Sequence, residues 1–190
     1  AEFQVYLHQK SESTLRFAWS SDVAESGASL LRNDRRYLRN EMFRNYLVER
    51  MDAEERASAS FGFRSFKYLH TTLFADQVHL QPQYNFNYRN LSSDARFSWL
   101  ETGASLVYSL RQSFYRNGNV KLPLATPNPV FRLQYTHGTD LNGGGTRNYQ
   151  RIDFRFEHSK TFQRIGKSYL QVNAGFIDGN VPYAKLYNTR

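Results

Sequence analysis

Between Arg151 and His158, Ile152, Phe154, Phe156 and His158 fall on one parity, while Arg151, Asp153, Arg155 and Glu157 fall on the other. Successive side chains of a β-strand point to opposite sides, so the segment predicts a strand with one aromatic, apolar face and one face of alternating charge. Leu100, Thr102, Ala104, Leu106, Tyr108 and Leu110 repeat the rule against Glu101, Gly103, Ser105, Val107, Ser109 and Arg111. That run has about the ten residues a tilted strand needs to cross a bilayer, roughly twice the length of an ordinary soluble strand. The parities define a lipid-facing set of Leu106, Tyr108, Ile152, Phe154, Phe156, Leu170 and Val172. They define a lumen-facing set of Glu101, Arg111, Arg132, Arg151, Asp153, Arg155 and Glu157.

Further strands are predicted at Glu2 to Gln9 and Thr14 to Ser20, and through Ala57, Ala59, Phe61 and Phe63. After a turn at Lys67 come Leu69, Thr71, Leu73 and Ala75, then Tyr84, Phe86 and Tyr88 with Pro82 at the start of that strand. Asn90 to Asp94 reads as a polar turn, Asn117-Gly118-Asn119 as another, and Pro123, Pro127 and Pro129 mark an irregular stretch. Phe131, Leu133 and Tyr135 form a strand, Asp140 to Gly145 a glycine-rich loop tip, and Gly166-Lys167 a turn into Leu170, Val172, Ala174 and Phe176. The pattern amounts to roughly eight strands with connections alternating between short and long. One segment breaks it. From Arg36 to Arg50, Leu38, Met42, Phe43, Tyr46 and Leu47 recur at helical spacing, with Asn33 or Asp34 as cap. This is one amphipathic helix, either an interfacial or gating element or a helix within a long connecting loop that packs its stripe on neighbouring protein.

Composition narrows the class. The 190 residues are 40% hydrophobic, with 15 Phe, 13 Tyr and 2 Trp, and their mean hydropathy is -0.67. Alternation hides hydrophobicity from such an average, so the low value argues against spanning helices and not against spanning strands. No stretch approaches the eighteen or so apolar residues of a transmembrane helix. Zero cysteines exclude disulfides and thiolate metal sites. The net charge of +8 suits an anionic partner, yet the arginines are interleaved with acids such as Glu41, Glu49, Asp52, Glu54 and Glu55 and form no dense basic block. Nucleic acid is therefore not an expected partner. Trp19, Trp99, Tyr115, Tyr149, Phe162 and Tyr169 lie near strand ends, where interfacial aromatic girdles form.

No motif carries a cofactor, metal or catalytic assignment. Asp140-Leu141-Asn142-Gly143 resembles the opening of a calcium loop, but position twelve, where a bidentate Glu belongs, is Arg151. Gly166-Lys167-Ser168 matches the tail of a phosphate-binding loop, but the first glycine would have to be Thr161. His8, His70, His79, His137 and His158 are dispersed. Ser58, Ser60, Ser105 and Ser109 are the small polar residues any barrel interior contains. The expectation is a protein that is not an enzyme, with an outer-membrane hydrolase using Ser and His on adjacent strands as the alternative.

Several segments resemble a known family. They are Tyr46 to Asp52, Gly62 to Leu69, Glu101 to Arg111, Asn128 to Gly138, Tyr149 to His158, Ile165 to Tyr169, and Asn173 to Leu186 with its Gly179-Asn180-Val181-Pro182-Tyr183 core. From about Leu31 onward the chain resembles the barrel of a Bacteroidota outer-membrane family whose members carry a carboxypeptidase-regulatory-like domain followed by a barrel of unknown function. The resemblance implies location and architecture, and neither an activity nor catalytic residues. It also implies that strands follow Tyr183, and the Asn188-Thr189-Arg190 end lacks an aromatic strand terminus, so the expectation is a fragment of a larger barrel.

The combined expectation is an all-β, antiparallel, up-and-down transmembrane β-barrel, or a large fragment of one, forming a single region over residues 1–190 with a loop helix at about 36–50. It would reside in the outer membrane of a Gram-negative bacterium and serve a transport, assembly or scaffolding complex. Its partners would be outer-membrane lipid and either other outer-membrane proteins or the rest of its own barrel. The alternative is a soluble basic antiparallel β-module binding an acidic polymer such as nucleic acid or polysaccharide.

Overall fold

The computed structural model describes residues 1–8, 12–25, 51–83, 96–110, 114–117, 120–123, 129–142, 147–163, 166–181 and 185–187. Ten strands occur among them: β1 Glu2–His8, β2 Ser13–Glu25, β3 Met51–Phe66, β4 Leu69–Pro82, β5 Phe97–Ser109, β6 Phe114–Asn117, β7 Val120–Pro123, β8 Val130–Asp140, β9 Tyr149–Phe162 and β10 Gly166–Gly179. Eight of them form one antiparallel sheet in the order β1-β2-β3-β4-β5-β8-β9-β10, and β6 and β7 form a separate hairpin. β1 and β10 do not pair, so the sheet is open. The segment expected to be helical, Arg36 to Arg50, lies outside the described residues, as do Arg111, the Tyr84, Phe86 and Tyr88 strand and the Asn90 to Asp94 turn. Pro82 is the last residue of β4 and is paired with Asp52 of β3.

Register aligns the parities of all eight strands. One row of directly paired residues runs Val5, Leu15, Phe61, Leu73, Ala104, Tyr135, Ile152, Phe176, apolar from edge to edge. The next row on the same face continues through Phe63, Thr71, Leu106, Leu133, Phe154 and Ala174. This outer face is exposed at Phe17, Trp19, Leu73, Leu133, Ile152, Leu170 and Phe176. The opposite parity is buried and largely polar: Ser60, Asp76, Glu101, Gln134, Thr136, Arg151, Asp153 and Arg155. A small apolar core of Leu80, Phe97, Trp99 and Tyr149, with Ile177 and Val181 against it, sits on this inner face. Trp99 and Tyr149 therefore do not belong to an outer girdle. Trp99 shares the parity of Glu101, Tyr149 that of Arg151, and Tyr169 also takes the inner parity beside Gln171 and Asn173.

The two ends of the sheet differ. At one end lie the tight turn at Lys67 and Tyr68 and the short links joining β1 to β2 and β9 to β10, together with the longer β5-to-β8 connection that carries the β6–β7 hairpin. At the other end lie the long connections 26–50 and 83–96 and the loop 141–148. Gly166 opens β10 with φ 102°, a left-handed conformation that glycine adopts without steric cost, and Lys167 pairs with Thr161, so the two residues expected to turn the chain are the first of the strand.

Candidate functional site: a buried charge cluster on the inner face

The inner face near the long-loop end concentrates the chemistry. β3, β4 and β5 place Arg56, Asp76 and Glu101 side by side, because each occupies the inward parity in adjoining rows. The Arg56 guanidinium contacts Glu54 at 2.7 Å, Asp76 at 3.1 Å and Glu101 at 3.7 Å. Tyr149 of β9 donates its O–H to Glu101 Oε1 at 2.5 Å, and Lys185 Nζ reaches the same oxygen at 2.6 Å. The Lys185 ammonium also lies 5.2 Å from the centre of the Trp99 ring, a favourable cation–π position. Further along β9, Arg151 Nε lies 3.0 Å from Asp153, which accepts a hydrogen bond from the Tyr187 hydroxyl. Burial, then the bond to Asp153, push the Tyr187 hydroxyl above its ordinary pKa, so it remains a donor.

Two tyrosine–carboxylate–cation groups result: Tyr149, Glu101 and Lys185, and Tyr187, Asp153 and Arg151. Each carboxylate receives donors from the wall of the sheet and from the chain beyond β10. Two glycines make the groups possible. A β-carbon at Gly138 would strike the Tyr149 ring, and one at Gly175 would strike the ring of Tyr187. A buried charge left alone would cost several kcal/mol, so the mutual pairing is what allows this set to stay ionised out of water.

Toward the short-turn end the inner face is polar and less covered. Glu157 sits between Arg132 and Arg155, each at 3.6 Å, and Arg155 Nε donates to Asn173 at 2.8 Å. Of the expected lumen-facing residues, Glu101, Arg132, Arg151, Asp153, Arg155 and Glu157 all lie on this face. Leu106, Tyr108, Ile152, Phe154, Phe156, Leu170 and Val172 all lie on the other. Tyr149, Arg56, Asp76, Lys185 and Tyr187 were not among the expected site residues. Parity could have found the first three; Lys185 and Tyr187 lie beyond the last strand, where parity says nothing.

Other polar groups among the described residues bond locally. Ser98 and His79, on adjacent strands, share a hydrogen bond of 2.7 Å, and Gln77 lies 3.1 Å from the other ring nitrogen of His79. Ser98 is buried and Asn142 caps its Oγ at 3.1 Å, so the trio ties the loop after β8 to the outer face. Asp140 is held by Arg147 at 3.3 Å and by the Asn142 amide at 3.0 Å, the local bonding of a loop tip. Among the described residues no cluster of His, Cys, Asp and Glu could hold a metal ion, and no helix is long and apolar enough to cross a membrane.

These features define a class: an all-β protein built on an open antiparallel meander, apolar on one face and charge-paired on the other. The chain belongs to a family of unknown function: residues 70–180 match the model described as "Family of unknown function (DUF5686) C-terminal domain". The match starts in β4 and ends just after β10, so it includes Glu101, Tyr149, Arg151 and Asp153. No curated protein and no solved structure matches the chain.

Proposed function

We propose that this sheet is part of the wall of a transmembrane β-barrel in the outer membrane of a Gram-negative bacterium, where it serves a transport, assembly or scaffolding complex. The observation that carries the reading is the unbroken apolar row across all eight strands on the exposed face, set against charge on the buried one. A water-soluble sheet puts its apolar face inside; this one reverses the arrangement, which suits lipid outside and a polar lumen within. Leu100 to Tyr108 spans about 27 Å along the strand, or roughly 21 Å of height at a ~40° tilt, close to the ~25 Å apolar band of such barrels.

The open edges fit the same account. In lipid each unpaired N–H or C=O costs several kcal/mol, so β1 and β10 require further strands to close the ring. Three of the four connections at one end are short and two of the three at the other are long, a loose match to periplasmic and extracellular sides that the β5-to-β8 connection breaks. The Bacteroidota origin and the companion carboxypeptidase-regulatory-like domain suggested by the sequence belong to this same proposal. The soluble alternative draws no support from Arg56, Arg132, Arg151 and Arg155, each of which is paired with an acid on the inner face.

The chain contains its own test, because its two tryptophans take opposite faces: Trp19 is 56% exposed on the outer face and Trp99 is 0% exposed on the inner. In bilayers of brominated lipid, the Trp99→Phe variant, which keeps Trp19, should be strongly quenched, and Trp19→Phe, which keeps Trp99, should not. Equal quenching of both, or a monodisperse monomer without detergent, would sink the membrane reading.

A further inference from the structure

Cations and acids alternate along the sequence, but the strand order sorts them by end. At the end of the sheet that holds the Lys67-Tyr68 turn, the connections are residues 9–12, 67–68, 110–129 and 163–165. By sequence they carry Lys10, Lys67, Arg111, Arg116, Lys121 and Arg164, and a single acid, Glu12. Glu12 is held by Arg64 at 2.5 Å, and Glu157, on the inner face toward this end, by Arg132 and Arg155 at 3.6 Å. At the opposite end acids and arginines stay interleaved. Asp22 of β2, Glu55 of β3 and Asp178 of β10 are exposed there, and the connections 26–50 and 83–96 add Asp34, Glu41, Glu49 and Asp94 by sequence.

The described residues at the acid-poor end set lysines beside exposed rings. β3 ends on Phe66, 73% exposed, and the ammonium of Lys67 lies 5.4 Å from the centre of the Tyr68 ring. β9 ends on Phe162, 42% exposed, with the Lys160 ammonium 5.2 Å from its ring centre, and both residues share the outer parity of Phe154 and Phe156. Lys67, Lys160 and Lys167 are all exposed, and none forms an ion pair with a described acid. Nearer the middle of the outer face, Tyr108, Phe131 and Phe156 stand in one row across β5, β8 and β9, with successive ring centres 6.4 and 5.1 Å apart. A lysine lays its apolar stem along such surface and carries its charge beyond it. The order toward this end is thus apolar face, aromatic row, ammonium groups, which is the order of hydrocarbon, interface and headgroup in a membrane.

We propose that this end of the sheet docks anionic phospholipid: Lys67, Lys160 and Lys167 take the headgroup phosphates while Phe66 and Phe162 enter the interfacial layer. Charge complementarity selects the partner, since an edge whose acids are already held by arginines attracts phosphate without a competing repulsion. Continuity with the exposed apolar face selects a membrane over a dissolved polyanion, which would meet the cations and leave the rings in water. The opposite end, with Asp22, Glu55 and Asp178 exposed, lacks that complementarity. The docking rests on the barrel reading, in which the outer face already meets lipid, and adds to it which lipid is held and at which end.

The test places the full chain in vesicles of phosphatidylcholine alone and of phosphatidylcholine mixed with phosphatidylglycerol, and follows acetylation by membrane-permeant acetic anhydride with mass spectrometry. Lys67, Lys160 and Lys167 should react severalfold more slowly in the anionic vesicles, with the difference fading at high salt as the charges are screened. Lys185, buried against Glu101, should react alike in both. Equal rates for the three lysines in the two vesicles overturn the docking. Inorganic phosphate or a soluble oligonucleotide added to the phosphatidylcholine vesicles should protect none of them; protection equal to that by phosphatidylglycerol would assign these residues to a dissolved anion and overturn the lipid partner. In the variant combining Lys67→Gln, Lys160→Gln and Lys167→Gln, with strand circular dichroism unchanged, the preference of the protein surface for spin-labelled phosphatidylglycerol over phosphatidylcholine should disappear. A preference kept in full overturns the proposal. Equal acetylation rates with Trp19 quenched and Trp99 not would remove the docking and leave the barrel, whereas protection with equal quenching of both tryptophans would remove the barrel and leave the lipid contact.

Discussion

Leu133 and Gln134 are neighbours in β8, and they belong to different chemistries. Leu133 joins an outer row with Leu106 and Phe154 that offers no polar group across three strands, whereas Gln134 lies on the inner side between Ser105 and Asp153. The same comparison holds for the whole sheet. The outer row from Val5 to Phe176 is apolar throughout and exposed at Phe61, Leu73, Tyr135, Ile152 and Phe176, so any apolar side chain of suitable size serves there. The row behind it runs Ala18, Ser58, Asp76, Glu101, Gly138, Tyr149 and Gly179, and from Asp76 to Gly179 it is specific residue by residue, because each side chain is matched to a partner or to the space a glycine leaves. One face tolerates substitution within a class; the other is a set of dependencies.

The largest expected effect is on the inner side. Glu101→Leu leaves Lys185 and the Tyr149 hydroxyl without their acceptor and should cost about 3–5 kcal/mol, the scale of breaking a buried ion pair. Denaturant titration of the refolded protein reads it, and a loss below ~1 kcal/mol would mean the cluster is not coupled. On the outer side, Phe154→Arg or Leu106→Arg should cost about 2–4 kcal/mol near the middle of the apolar band, seen as a lower inserted fraction in liposomes. Asp153→Asn should leave insertion nearly unchanged, and similar insertion losses at both parities would erase the distinction between faces. Gly175→Ala brings a β-carbon against the Tyr187 ring and should cost about 1–3 kcal/mol. Combining it with Tyr187→Ala should recover part of that loss, so strict additivity in the double-mutant cycle would show that the two do not meet. Smallest is Arg16→Ala at the β1 edge, where the 2.9 Å pair with Glu2 is 39% and 50% exposed; a change of roughly 0.2–1 kcal/mol is expected in the same titration.

Parity made the two-faced strands legible from the residues alone, because a period of two survives whatever the neighbours are. It placed Ile152, Phe154 and Phe156 opposite Arg151, Asp153 and Arg155, and β9 has that arrangement. The same rule applied to Trp99 and Tyr149 would have put them inside beside Glu101 and Arg151, but position near a strand end suggested an aromatic girdle. An aromatic ring suits either setting, and the deciding fact was its parity relative to a charged neighbour. Gly138 and Gly175 carry no such signal: their importance appears only once register sets them against tyrosines from β9 and from the chain beyond β10. Lys185 was equally hidden, since its partner lies 84 positions away.

Strand order that follows chain order has a consequence for how the sheet forms. Every strand from β2 to β5, and β9 and β10, pairs with the one made immediately before it, so each addition closes a short loop and is soon rewarded by contacts. Sheets whose neighbours are distant in sequence fold slowly because closure entropy is spent long before contacts form. Here the longer closures are the 26–50 connection and the β5-to-β8 step, and the latter is shortened by its own hairpin, β6–β7, whose register pairs Phe114 with Pro123 and Asn117 with Val120. The chain can therefore grow its wall hairpin by hairpin in synthesis order, with Lys185 and Tyr187 arriving last, after both carboxylates that receive them are already in place.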